Sequence, residues 1–268
     1  MSLFNDIWAR RTAIKHLVLK NYRVRYRNMA LGVLWSVLNP LVMLAVLVFI
    51  LTYVFQRGSQ IENFPIFVLI GLIHYNVMSV MLGAWTMSIV EHSLLIKKVS
   101  FPRLIIPLSK VLSHLTDVVV LISLLLIFIL LFQIPVKPAI AWMFVSFIIE
   151  LIFILGMAFL FSALAVYYRD MLYIVESGLT VFFWLTPIFY SITKVHEKVV
   201  DEQLPKAVFW LYLLNPLGGC IHTTRRAVLH QVGPDGPFLI ISAVVAAVVL
   251  ILGVIVFQRL QRRFADFT

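Results

Sequence analysis

The chain is poor in charge and almost without cysteine. Of its 268 residues only 13% are Asp, Glu, Lys or Arg, roughly half the share of an ordinary globular chain, so it carries too little polar surface to dissolve in water. A single cysteine, Cys220, excludes an intrachain disulfide and a cysteine-based zinc cage. No Gly-Lys pair occurs. The loop Gly-x-x-x-x-Gly-Lys-Ser/Thr that cradles nucleotide phosphates is therefore missing, and this chain does not itself burn ATP. The histidines, at positions 16, 74, 92, 114, 196, 222 and 230, include no i, i+4 pair, and no Gly-x-Ser-x-Gly elbow exists. These gaps disfavour an enzyme and leave no metal site to assign.

What is present is apolar. Hydrophobic residues make up 62% of the chain and the mean hydropathy is +1.01. A bilayer core about 30 Å thick needs roughly 20 helical residues, and uncharged runs of that order cover 28–56, 63–90, 118–136, 177–193 and 236–258. A sixth stretch, 138–168, is apolar apart from Glu150. A seventh candidate, 207–224, is interrupted by Asn215-Pro216-Leu217-Gly218-Gly219. There proline removes a donor and the glycines invite a reversal, so two half-helices dipping in and back out fit better than a span. With the N-terminus inside, six spans place 15 Lys and Arg on the inner side against 7 outside, the bias that cytoplasmic loops carry. Seven spans would send Arg259, Arg262 and Arg263 outward. Charged residues run on to Arg27 with no small-residue cleavage pattern, so the first apolar run is expected to be retained. The expectation is an all-α integral membrane protein: six transmembrane helices, both termini cytoplasmic, and one transmembrane domain over 1–268. The net charge of +10 is a cytoplasmic flank rather than a basic face interleaved with aromatics, which speaks against nucleic acid.

Three segments lie between the spans. In 1–27, Leu3, Ile7, Ile14, Leu17 and Val18 share a helical face that Arg11 interrupts, the pattern of an amphipathic helix on the inner surface or of an ordinary basic flank. In 91–110, a short helix from Ser93 to Val99 would show Leu94, Leu95 and Ile96 beside Lys97 and Lys98 and stop before Phe101-Pro102. That patch either docks a cytoplasmic partner or packs on its own domain. The outer segment 191–237 holds Phe209, Trp210 and Tyr212, side chains suited to the headgroup zone. It reads equally as a lid over a pathway and as a structural hairpin. Asp117, Glu150 and Glu176 are acids at or near membrane depth. Glu150 is the deepest, and with no Lys, Arg or His on its own span it reads as a structural or pathway-lining acid rather than a proton carrier. Small residues at Ser242 and Ala246, and at Ala243 and Ala247, allow close helix approach, within the chain before a dimer.

Several strings together resemble one family. Arg25-Tyr26-Arg27-Asn28-Met29-Ala30-Leu31-Gly32-Val33-Leu34-Trp35-Ser36-Val37-Leu38-Asn39-Pro40-Leu41 resembles the start of the first span in polysaccharide-export permeases of the ABC-2 transporter superfamily, which include O-antigen, capsule and teichoic acid exporters. Lys97-Lys98-Val99-Ser100-Phe101-Pro102-Arg103, Tyr168-Arg169-Asp170-Met171, Phe183-Trp184-Leu185-Thr186-Pro187-Ile188-Phe189-Tyr190 and Asn215-Pro216 follow in that family's order. The resemblance implies a permease subunit of a bacterial cytoplasmic (inner) membrane. It would dimerise with a second copy of itself, pair with two copies of an ABC ATPase that binds ATP and Mg, and pass a lipid-linked polysaccharide outward. It implies an ATPase-coupling role for Ser93, Leu94, Leu95, Ile96, Lys97, Lys98, Phe101, Pro102 and Arg103. Trp35, Phe183, Trp184 and Tyr190 would border the glycan path, and Trp210, Tyr212, Asn215 and Pro216 would belong to an outer re-entrant gate between spans five and six. Alternatives are an ABC-2 exporter of drugs or small lipids and a membrane-embedded glycan transferase.

Overall fold

A computed structural model describes residues 11–27, 29, 31–56, 61–92, 104–201, 203 and 205–264, and among them every regular element is helical. In chain order these are α1 (Arg11–Tyr26), α2 (Leu34–Phe49, continued by a π-helical turn Ile50–Val54), α3 (Phe64–Thr86), α4 (Ser88–Glu91), α5 (Ile105–Leu131), α6 (Ala141–Ala165), α7 (Met171–Leu185), α8 (Ile192–Val200), α9 (Lys206–Leu213), α10 (Pro216–Arg225, continued by a π-helical turn Arg226–His230) and α11 (Gly236–Leu260). Five helices among the described residues are long and apolar enough to cross a membrane, at Leu34–Val54, Phe64–Thr86, Ile105–Leu131, Pro138–Ala165 and Gly236–Leu260. The chain is a multi-pass membrane protein.

Helix α3 is apolar around most of its surface, His74, Asn76 and Ser79 being among the exceptions, as a helix enclosed by others requires. Ile66, Val68, Leu69, Ile70 and Ile73 are fully buried, and α2, α5, α6, α7 and α10 pack around it. Helix α6 packs along α11, and the two backbones meet at glycine. A Cβ on Gly156 would lie 2.6 Å from Leu250 Cα, and one on Gly253 would overlap the Gly156 carbonyl oxygen. Ser242 and Ala246 are buried on the same helix, so this pair is used within the chain, whereas Ala243 is half-buried and Ala247 exposed.

Several boundaries differ from the sequence expectation, for physical reasons. Helix α5 starts at Ile105 rather than near 118, because the charges that seemed to end the apolar run are paired: Lys110 bonds to Glu91, and Asp117 to Arg25. Pro107 sits in its first turn, where its missing N–H is no loss. Helix α7 covers Met171–Leu185 rather than 177–193. It ends because Pro187 drives Thr186 into an extended conformation, φ −83° and ψ 139°. Its 15 residues rise about 22 Å, short of a full bilayer core of about 30 Å. The glycines of 207–224 do not make the reversal. The break falls at Leu214-Asn215, and Gly218 and Gly219 lie inside α10. There a Cβ on Gly219 would collide with the Ser242 hydroxyl of α11. Helix α1 packs on α5 through buried Ile14, with Leu17 and Val18 half-buried beside it.

Candidate functional site

Three cavities adjoin in series along α2, α3 and their neighbours. The first, about 560 Å³, lies where α1, α3 and α5 converge and is lined by Lys20, Arg25, Glu91, His92, Lys110 and His114 among others. Burial, ahead of the nearby lysines, lowers the pKa of His92. The second, about 150 Å³, shares Arg25 and Val80 with the first and adds Trp35, Asn39, Asn76 and Asp117. The third, about 280 Å³, shares Asn39 and Asn76 with the second and adds Tyr75, Ser79, Thr180, Phe183 and Trp184. The series begins polar and basic and ends aromatic.

Asp117 organises the middle of it. Its carboxylate accepts from Arg25, from Tyr26 Oη at 2.7 Å and from Ser36 Oγ at 2.8 Å. Burial first, and then the bond to the Asp117 carboxylate, push the Tyr26 phenol up to about 12, so Tyr26 stays a donor. The arrangement ties the end of α1 and the start of α2 to α5, and it sets Trp35 beside the second cavity with 53% of its surface open. On the far side Phe183 is buried edge-on against Tyr75 at 4.9 Å and against Trp184 at 5.4 Å, while Trp184 is 61% exposed. Apolar ring faces separated by carboxamides and hydroxyls form a surface along which a polyhydroxylated chain can slide without being tightly held.

Beyond α7 the backbone is pinned rather than open. Arg225, 4% exposed, donates to Phe67 O at 3.0 and 3.1 Å, to Pro187 O at 2.7 Å, to Tyr190 O at 3.1 Å and to Ile188 O, and its guanidinium lies 3.4 Å from the centre of the Phe67 ring. No carboxylate among the described residues lies within ion-pair distance of it. Gly71 makes room, since a Cβ there would lie 2.6 Å from Ile188 O. Tyr190 Oη meets Tyr212 Oη at 2.8 Å. Asn215 caps α10, its Oδ1 accepting from Leu217 N at 3.1 Å and Gly218 N at 3.3 Å, while its Nδ2 donates to Thr186 Oγ1 at 3.2 Å.

Residues 12–229 match the family profile described as ABC-2 type transporter. The chain belongs to this family. Among curated proteins it is 28% identical to the O-antigen export system permease protein RfbA of Klebsiella pneumoniae over 250 residues, 92% of this chain and 91% of that one. It is 28% identical to the protein of the same name from Myxococcus xanthus over 266 residues, 98% of each chain. A shorter stretch of 69 residues, 26% of this chain and 27% of the other, is 36% identical to the polysialic acid transport protein KpsM of Escherichia coli.

In this ABC-2 permease the residues expected to border the path divide. Trp35, Phe183 and Trp184 line the cavities, whereas Tyr190 lines none of the three and instead joins the post-α7 segment to α9 through Tyr212. Of the outer group, Tyr212 and Asn215 grip that same segment, and buried Pro216 opens α10. Trp210 is 59% exposed on α9. The coupling segment Ser93–Arg103 lies outside the described residues. Arg169 and Asp170 are both exposed, and no ion pair joins them.

Sequence reasoning missed the two asparagines that the second and third cavities share, and it missed the inward placement of Arg225, counted there as one more outer cation. It also left Glu150 without a partner. The acid is 1% exposed on α6, and its Oε2 lies 2.5 Å from His74 Nδ1 on α3. His74 Nε2 continues to Thr224 Oγ1 on α10 at 2.9 Å, and Thr224 to Ser146 Oγ at 2.6 Å. This network lines none of the three cavities. It ties α10 to α3 and α6, while the other carboxylate oxygen of Glu150 has no partner among the described residues.

Proposed function

We propose that this chain is the transmembrane subunit of an exporter that moves a lipid-linked surface polysaccharide, such as an O antigen, a capsule-like glycan or a teichoic acid, across the cytoplasmic membrane of a bacterium. The observation that carries the reading is the series of three neighbouring cavities, each sharing lining residues with the next, from the basic pocket beside α1 to the Trp35, Phe183 and Trp184 rings. It occurs in a chain whose near full-length relatives are named as O-antigen export permeases. Apolar C–H faces of sugar rings stack on such aromatics, and the polar walls between them suit hydroxyls.

The chain works as a permease, not as an enzyme. ATP and Mg bind to a separate ABC ATPase, two copies of which dock on the cytoplasmic segment 91–110 through Ser93–Arg103. In this reading α7 is the fifth of six spans, shortened by the break at Thr186-Pro187, and both termini face the cytoplasm. Segment 1–27 rests on the inner surface, and α9 with α10, in 191–237, forms the outer re-entrant hairpin. A second copy closes the groove into a conduit. Helix α2 leaves Val42, Phe49 and Tyr53 uncovered, and α7 leaves Val181 and Trp184, so exposed apolar residues flank the groove where a second copy would meet it.

Depletion of the protein from its host tests the function. Export predicts polymer of full composition trapped on its lipid carrier inside the cell. Absence of the polymer, or a polymer lacking one sugar, would instead mean synthesis and overturn the reading.

A further inference from the structure

The second and third cavities hold several polar side chains, but nearly all are already engaged. Arg25, Ser36 and Asp117 are bound to one another. Tyr75 Oη donates to Leu179 O at 2.9 Å, Ser79 Oγ to Asn76 O at 3.3 Å and Thr180 Oγ1 to Glu176 O at 3.0 Å. Asn39 and Asn76 are different. They are the two residues common to both cavities, and no hydrogen bond of either carboxamide is formed among the described residues.

Both positions lie at membrane depth. By helical rise Asn39 is about 7 Å from the start of α2, and Asn76 about 15 Å from the nearer end of α3. A polar side chain at such depth is retained at a cost unless something hydrogen-bonds to it. Each carboxamide offers two N–H donors and an oxygen with two lone pairs. A sugar hydroxyl both donates and accepts, so a carboxamide can engage two neighbouring hydroxyls of one ring. A phosphate only accepts and calls for cations, and the cation of these two cavities, Arg25, is taken by Asp117.

We propose that Asn39 and Asn76 form the hydroxyl-reading station of the groove, holding successive sugar rings as they pass from the Trp35 side to the Trp184 side. The inference rests on the export reading above and adds the residues that discriminate one glycan from another. The aromatic rings accept any pyranose face. The two carboxamides accept only rings whose hydroxyls are spaced to meet them, so they set which repeat unit is carried.

The test titrates the full chain, in lipid nanodiscs, with the host's own surface polysaccharide released from its lipid by mild acid. Saturation-transfer NMR reads binding. Leucine shares asparagine's branching at Cγ and its number of side-chain heavy atoms, and it favours insertion at depth, so Asn39→Leu and Asn76→Leu are expected to keep the fold. Each is expected to weaken binding about 3- to 10-fold, the worth of one net hydrogen bond or so, with Asn39→Gln falling in between. In cells the double variant should shift polymer toward its carrier-bound form while copy-to-copy cross-linking is unchanged. Binding by the double variant within twofold of wild type overturns this proposal and leaves the groove standing. Loss of cross-linking with binding retained overturns it too, since the carboxamides would then bridge two copies. A wild-type chain that shows no binding, with Trp35→Ala and Trp184→Ala exporting normally, removes the groove itself and this inference with it.

Discussion

The buried guanidinium of Arg225 allows a sharp test of what holds the outer half of the chain together. Replacing it with methionine keeps an unbranched apolar stem about as long as arginine's aliphatic part and removes every donor. The carbonyls of Pro187, Ile188 and Tyr190 lie in irregular backbone and lose the partner that Arg225 supplies. Each buried acceptor left without a donor costs about 1 to 3 kcal/mol, which puts the loss at roughly 3 to 9 kcal/mol. Against this stands relief from desolvating a buried cation, several kcal/mol in real proteins. The carbonyl oxygens already compensate that charge, as does the Phe67 face 3.4 Å away, so the relief is partial. The expected net effect is destabilisation by about 3 kcal/mol, a factor of more than 100 in the folding equilibrium. Titration of the purified chain in mild detergent with dodecyl sulfate, followed by tryptophan fluorescence, measures it. Trp184, three residues before Pro187, should become more mobile at denaturant levels that leave the wild type intact. A change below about 1 kcal/mol would refute the argument that this arginine fastens the segment after α7.

Two further expectations follow from contacts already described. Gly253→Val places a branched side chain against the Gly156 backbone and should cost about 3 kcal/mol or prevent assembly, given the usual range for overpacking; an unchanged thermal midpoint in detergent would contradict the glycine crossing. Tyr26 is held protonated to about pH 12, from an ordinary value of 10.0. Its stabilising bond to Asp117 is therefore fully present below pH 10 and lost as pH rises toward 12. The difference in phenolate absorbance between the wild type and Tyr26→Phe should show a single tyrosine titrating near 12, and a midpoint near 10 in that difference would show that the bond to Asp117 is absent.

Much of this architecture was legible from composition alone, because long apolar runs have few alternatives in a bilayer. Spans α2, α3, α6 and α11 appear close to where their uncharged runs put them. Charge counting failed at α5 for a definite reason. Lys110 and Asp117 look like terminators until Glu91 and Arg25 are brought to them from 19 and 92 residues away, and no local rule carries that information. The same limit hid the site's polar half. Trp35, Phe183 and Trp184 announce themselves as large aromatics in recognisable strings, whereas Asn39 lies within such a string with nothing local to set it apart. Asn76 sits with His74 and Ser79 among the few polar residues of a mostly apolar helix, and that was the one available signal. Glu150 was correctly marked as unusual, but its partner His74 lies on another helix. Gly218 and Gly219 were read as a turn because glycine pairs often are; only the approach of Ser242 reveals that Gly219 serves packing.

The meeting of α6 and α11 at Gly156 and Gly253 divides the molecule mechanically. Two backbones in direct contact have no side-chain ridges to ride over, so this pair behaves as a fixed post, and α10 is wedged onto it at Gly219. Helix α2 packs on α3 and α5, helix α7 on α3 and α6, and these two carry the open rings of Trp35 and Trp184. That post borders none of the three cavities, so in the export reading proposed above any widening for a passing sugar falls to the helices that carry the rings and leaves the post in place.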